Sequence, residues 1–529
     1  MSSTTASSAT AETAAQPKAL LHAAALGAGT ACMGTAYAKC LKTSVSAVWT
    51  KLPSVLNLAD PTLFIPLACT LGGLIVGLVN VNVKGYAMPE LIGSQQSESD
   101  APGGDSPSVF ILPVLLLSLL TSTFGFSVGP EAPMVVAGSL VGSAYGKRAY
   151  GVSAHGMRRV MAYAGAAGAL TTFIGMPLAG AIFVLEITRA SSGLNPEAYA
   201  ALTPAVVASC ASMIVAKAVF APAKALGGHF AYDAIGSALT GRAMAAISIG
   251  AGIGGALIGR VFIAAVAALK KPMWPAAADD DSCEVDKRWV CGPKTRHVLV
   301  KTTVGLAVGL LSLYFPQTLF WGEGSLQVKP VAFEAHQIWP TKPSAPSLAT
   351  QSQLTTCPMH LPSLPSFHLH TCFQHVLDGQ RTALSAVWPG LSTDLTARAF
   401  AAVTAPFAAP SAALAVGAAK LVAIALACAG GFPGGIIFPI FFAASALAHG
   451  LSAIVPAALM PVWVMSLMAS AQASVTRTPL ATVFMLGLSA AASAQLSVLL
   501  PPVIIASYVG VWVSQALSKK TFFPYKRLD

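Results

Sequence analysis

The 529 residues are 55% hydrophobic and only 10% charged, with a mean hydropathy of +0.68, a balance that excludes a soluble protein of this size and defines a polytopic membrane protein. The formal net charge of +11 is not a nucleic-acid footprint. Many of the cations fall in short clusters between apolar runs, Lys147-Arg148, Arg158-Arg159, Lys270-Lys271, Lys519-Lys520 and Lys526-Arg527, as cytoplasmic loops do under the positive-inside rule.

Residues 1–16 are rich in Ser, Thr and Ala and lack an apolar core, so they read as a disordered tail or a plastid-type targeting peptide and not as a secretory signal. A helix rich in Ala and Gly is predicted from 17 to 50. Long apolar runs with at most one charge each follow near 62–82, 109–128, 160–186, 201–223, 243–269, 298–316, 399–428, 435–475 and 478–517. At about 20 residues per span the longest need more than one crossing, which predicts about ten or more membrane segments. The 46 Gly and 36 Pro are many for helices in lipid, and predict broken, re-entrant helices around a protected cavity. The expected organisation is a first transmembrane half-repeat over 17–270, within which a second set of apolar runs opens near 243; a charged loop at 271–296; a second half-repeat over 297–328 and 376–518; and a basic tail at 519–529. Asp279, Asp280 and Asp281 read as a hydrated connector.

Residues 329–375 form an insertion of another kind, dominated by Pro, Ser, Thr and His. Cys357, His360, His368, His370, Cys372 and His375 are zinc-type ligands at no standard zinc spacing, so the segment reads as a disordered insertion, a metal site or a splicing artefact, and no metal or cofactor is expected. The nine cysteines form no disulfide framework, although Cys283 and Cys291 share a loop.

Three interruptions carry the chemistry. Gly85-Tyr86-Ala87-Met88-Pro89, Gly129-Pro130-Glu131-Ala132-Pro133 and Gly435-Ile436-Ile437-Phe438-Pro439 each run from Gly to a Pro that suits the first turn of a helix. Each therefore presents free N–H groups with about half a positive charge and no side-chain cation. Aimed at one point they make an anion site that binds weakly enough to release its ion; the alternative is three kinks made for packing. Glu131 is one of only two carboxylates between Pro107 and Pro196, the other being Glu186, so it reads as a functional intramembrane acid or as a first-turn acid complementing a helix dipole. The halves repeat: Pro133-Met-Val-Val-Ala-Gly-Ser139 is echoed by Pro439-Ile-Phe-Phe-Ala-Ala-Ser445. Met176-Pro-Leu-Ala-Gly-Ala-Ile-Phe183 is likewise echoed by Thr478-Pro-Leu-Ala-Thr-Val-Phe484.

On these motifs the chain resembles the CLC family of chloride channels and anion/proton exchangers. Gly129–Pro133 is similar to that family's gating-glutamate motif, Gly434–Pro439 to its second anion-binding helix start and Gly85–Pro89 to its first. The similarity covers roughly 50–270 and 297–517. It implies an all-α, inverted-repeat bundle of tilted and broken helices, a homodimer in the lipid bilayer, and an anion path in each subunit. Glu131 would be its gate: helix amides favour the ionised form and burial the neutral one, coupling protonation to anion occupancy. Three positions depart from the pattern. Tyr86 replaces a Ser, which leaves nitrate, bromide or fluoride open beside chloride. Ile187 stands where exchangers carry a second proton glutamate, next to Glu186, and favours a passive channel over a proton-coupled exchanger. The pore tyrosine aligns best with Phe523, with Tyr525 two residues on. With the chain ending at Asp529, no appended nucleotide-binding domain pair is expected.

A cation-coupled or organic-solute transporter of inverted repeats is the rival reading, but no acid lies between Asp394 and Asp529 to hold a cation. An enzyme is not expected, because no nucleophile–base pair, phosphate loop or standard metal motif is present. A structural membrane protein with a zinc-binding insert is a third possibility.

Overall fold

The computed structural model describes residues 13–56, 61–83, 85–96, 102–189, 196–220, 241–274, 293–322, 410–456, 459–490 and 496–523. The 329–375 insertion, most of the N-terminal tail, the 279–281 acids, Cys283, Cys291 and Tyr525 lie outside the described residues. Within them the chain is helical, and its one β pairing is an isolated antiparallel bridge between Gly129 and Gly435.

The first set of helices is α1 (Pro17–Ser46, continued by a π-helical turn Ala47–Lys51), α2 (Pro61–Asn82), α3 (Met88–Gln96), α4 (Ile111–Thr123), α5 (Glu131–Tyr150), α6 (His155–Ile174), α7 (Pro177–Ile187) and α8 (Pro196–Phe220). Next come α9 (Gly241–Met273), α10 (Pro293–Tyr314), α11 (Pro410–Ala429), α12 (Ile437–Gly450), α13 (Met460–Thr476), α14 (Pro479–Ala490) and α15 (Leu496–Leu517). Seven of these begin on proline, the position where its missing N–H would be unpaired anyway. Gly151 and Gly175 end α5 and α6 with φ of +91° and +70°, conformations that only glycine adopts without strain.

By length and composition six helices can cross a membrane: Pro17–Trp49, Leu63–Asn82, Ala198–Val219, Gly241–Met273, Lys294–Tyr314 and Val498–Leu517. The other apolar runs resolve into shorter helices such as α7, α12 and α14, or into α6 and α13, which are enclosed by protein along most of their length. The apolar stretch at 160–186 is two helices, α6 and α7, divided at Gly175-Met176. Half-length helices inside a membrane protein leave their ends in its interior, which is what the glycine and proline content anticipated.

Two sets of helices pack by the same rules. In the first, α1 packs on α8 and α6, and α5 on α6; in the second, α9 packs on α15 and α13, and α12 on α13. The sets meet through their counterpart pairs, α2 against α10 and α7 against α14. Small residues permit the close approach: Gly73 faces the Lys301 carbonyl, Gly305 faces the Cys69 carbonyl, and Gly142 of α5 lies against the Met161 carbonyl of α6. A Cβ at Gly142 would strike that carbonyl. Gly142→Val is therefore expected to cost about 1–3 kcal/mol or more and to lower the unfolding temperature in detergent. Gly250→Ala, where a Cβ meets nothing within 4 Å, should leave it unchanged or slightly raised.

Candidate functional site

The first interruption opens α3. Glu90 of that helix turns back so that its Oε2 accepts the Ala87 N–H at 3.1 Å, the carboxylate half of a capping box. The Tyr86 hydroxyl donates to the Glu90 carbonyl at 3.2 Å and to Ser94 Oγ at 3.0 Å, and its ring lies 5.6 Å from that of Phe110. The hydroxyl that the sequence offered to an anion is thus engaged within α3.

The second and third interruptions are joined to each other. The Gly129 N–H donates to the Gly435 carbonyl at 2.8 Å, and the Gly435 N–H donates to the Gly129 carbonyl. These two amides, counted among the anion donors in the sequence, are spent on holding the loops together. Below the bridge, Glu131 at the start of α5 is fully buried. Its Oε1 accepts the Phe438 N–H at 3.3 Å at the N-terminus of α12, and its Oε2 has no partner among the described residues. A carboxylate so placed takes an amide that α12 would otherwise turn toward an anion.

One cavity of about 840 Å³ collects the rest. Gly85, Tyr86, Ala87, Met88 and Pro89 line it, together with Ala132 and Pro133 of the second interruption and Gly434, Gly435, Ile436 and Ile437 of the third. Phe523 lines it too, beside Phe522, with its carbonyl accepting the Thr521 hydroxyl at 2.6 Å. The three helix starts therefore converge. Pro130 lies on the loop at the N-cap of α5, while Phe438 and Pro439 are buried in the first turn of α12.

Glu186 and Ile187 are elsewhere. Glu186 ends α7 and its carboxylate accepts the Leu480 N–H at 3.2 Å and the Ala481 N–H at 2.8 Å, so it caps α14 across the junction of the two sets. Ile187 is fully buried. Sequence reasoning missed four further charges. Lys270 and Lys520 line the cavity although they read as ordinary loop cations, and Glu90 lines it from the first turn of α3. Lys301, buried in α10, donates to the carbonyls of Gly430 and Gly431 just before the third interruption. The capping-box spacing of Ala87 and Glu90 was a signal that could have found one of them.

Glycine at 435 is a steric requirement, because a Cβ there would sit 2.7 Å from Glu131 Cδ and 2.9 Å from the Ala132 amide nitrogen. Gly435→Ala is expected to destabilise the protein by about 1–3 kcal/mol. Combined with Glu131→Ala, which removes the obstructing carboxylate, it should cost measurably less than the two changes summed. Thermal unfolding of the single and double variants in detergent checks this, and strict additivity would separate Gly435 from the Glu131 side chain.

Comparison with known proteins identifies the family and the fold. The family model for the voltage gated chloride channel matches residues 68–515. The putative ion-transport protein YfeO of Escherichia coli O9:H4 (strain HS) is 28% identical over 240 residues, 44% of this chain and 54% of its own length; the same protein of Shigella boydii serotype 18 matches equally. The chain thus spans about half the length of the curated relatives it matches. Among solved structures, a slow cyanobacterial Cl⁻/H⁺ antiporter superposes with a TM-score of 0.65 at 14% identity, over 96% of both chains. A CLC-type fluoride/proton antiporter gives 0.59 at 18% identity, over 96% of this chain and 98% of its own. A eukaryotic CLC transporter gives 0.58 at 14% identity, over 95% and 73%. With its model matched over most of the sequence and its broken-helix fold shared with these structures, the chain belongs to the voltage-gated chloride channel, or CLC, family.

Proposed function

We propose that this protein moves a small anion, chloride in the first instance, through the 840 Å³ cavity, with Glu131 as the gate and with anion movement coupled to protons. The observation that carries the reading is the wholly buried Glu131 carboxylate, seated on the Phe438 amide with its second oxygen unpartnered. As a carboxylate it competes with an anion for the start of α12. Once protonated it loses the charge that holds it there, and an anion can take its place. Amides of Ala132, Ile436 and Ile437, beside Pro133 and Phe438, then face the ion, while Phe523 closes the wall on the other side. Lys270 and Lys520 raise the local anion concentration at the mouth.

The sequence favoured a passive channel because Ile187 replaces the second proton glutamate. The likeness to two proteins described as anion/proton antiporters supports the exchanger instead. In that reading Glu186 carries the proton at the end of α7, where its carboxylate accepts two backbone amides of α14 with the charge of Arg189 nearby. The passive channel stands as the second reading on the strength of Ile187. For either we propose a homodimer, its second copy seated on the side of α8, α14 and α15 that carries the partly exposed Leu202, Leu480 and Ile504.

Two measurements on reconstituted protein test this. Chloride flux into liposomes should rise as pH falls, and Glu131→Ala should make it constitutive and flat with pH; a pH dependence that survives the substitution removes Glu131 from the gate. A chloride gradient should drive protons uphill in wild-type liposomes. Chloride flux with no proton movement would return the protein to the passive channel.

A further inference from the structure

The anion loop that leads into α12 starts at an unfavourable place for an anion. Helix α11 ends at Ala429; the carbonyls of Leu426, Ala427 and Cys428 are taken by the N–H groups of Gly430, Phe432 and Gly431, while the next three, at 429–431, lie at the negative end of the helix dipole, and Cys428 and Gly431 line the same cavity as the starts of α5 and α12. Left open, those carbonyls would repel the ion that the amides of α12 attract.

Two donors cover them. Lys301, 1% exposed and reaching across from α10, donates from Nζ to the Gly430 carbonyl at 3.0 Å and to the Gly431 carbonyl at 2.6 Å, and its ammonium lies 5.0 Å from the centre of the Phe432 ring. Trp274 donates from Nε1 to the Ala429 carbonyl at 2.8 Å. Phe432 in turn stacks on Phe126 at 3.9 Å, within the loop that ends at Gly129. Among the described residues Lys301 has no carboxylate within ion-pair distance, so its charge is not cancelled by an acid. A second buried lysine repeats the arrangement behind the other loop. Lys420 donates to the carbonyls of Gln317, Thr318, Leu319 and Phe320, and Phe320 bonds back to Gly125 and Ser127.

We propose that Lys301, assisted by Trp274, sets anion affinity in the cavity by neutralising the carbonyls of 429–431 at the end of α11, acting as a positioning residue that does not itself touch the ion. This rests on the anion-transport reading above. The alternative is an ordinary helix cap whose loss would affect folding alone.

The test measures chloride flux against chloride concentration in liposomes for wild type, Lys301→Met, Lys301→Arg and Trp274→Phe, with unfolding temperature in detergent followed in parallel. Lys301→Met should raise the half-saturating chloride concentration by about fivefold, the order expected for one unit charge acting through protein of intermediate dielectric. Lys301→Arg, which keeps the charge, should restore most of it, and Trp274→Phe should give a smaller rise in the same direction. An unchanged half-saturation in Lys301→Met, with only maximal flux and stability reduced, overturns the proposal. If Lys301→Met does not fold, Trp274→Phe decides: a raised half-saturation at unchanged maximal flux supports the proposal, and an unchanged one overturns it. Wild-type protein that moves no chloride sinks the transport reading and this one together, whereas wild-type flux with unshifted variants sinks this one alone.

Discussion

Two hydrogen bonds exchanged between Gly129 and Gly435 bind the loop of one half of the chain to the loop of the other. The consequence is a division of the backbone amides: those of the two glycines are spent on the bridge, and the next ones along, at the start of α12, remain to meet a negative charge. Glu131, two residues past its own half of the bridge, reaches the amide of Phe438 in the other half. A side chain at either glycine would occupy the space of that carboxylate, so the bridge and the acid are one construction and not two neighbours.

Four buried or half-buried charges of this membrane protein are held by backbone groups. Glu131 sits on the start of α12 and Glu186 on the start of α14, while Lys301 covers the end of α11 and Lys420 the carbonyls of 317–320. The physical advantage is that a helix end offers about half a charge, enough to hold an ion in low dielectric and too little to trap it. Glu131, held in this way, can change its protonation state without stranding a buried counter-charge, the condition that makes breaking a buried ion pair so costly. An ion pair of Arg158 with Asp105 lies where Asp105 is exposed, away from the cavity.

Much of this was written locally in the sequence. The apolar runs fixed a membrane bundle because only helices satisfy their backbone within a few residues, and the Gly-to-Pro interruptions marked where those helices begin. The echo between residues 133–139 and 439–445 pointed to two related halves, and the isolation of Glu131 in an apolar neighbourhood singled it out. All of these are properties of short stretches, so one sequence suffices to see them. What the stretches do to each other was decided only by the tertiary structure. The Tyr86 hydroxyl was turned inward to α3, the amides of Gly129 and Gly435 were consumed by their own pairing, and Glu186 was carried to the junction of α7 and α14 instead of the cavity. Lys301 and Lys420 looked like single charges tolerated in long apolar runs, since the carbonyls they cover lie about a hundred residues or more away along the chain. Polar groups in a low-dielectric interior must find partners wherever the packing brings them, and that choice is made by the whole fold, not by the segment that bears the side chain.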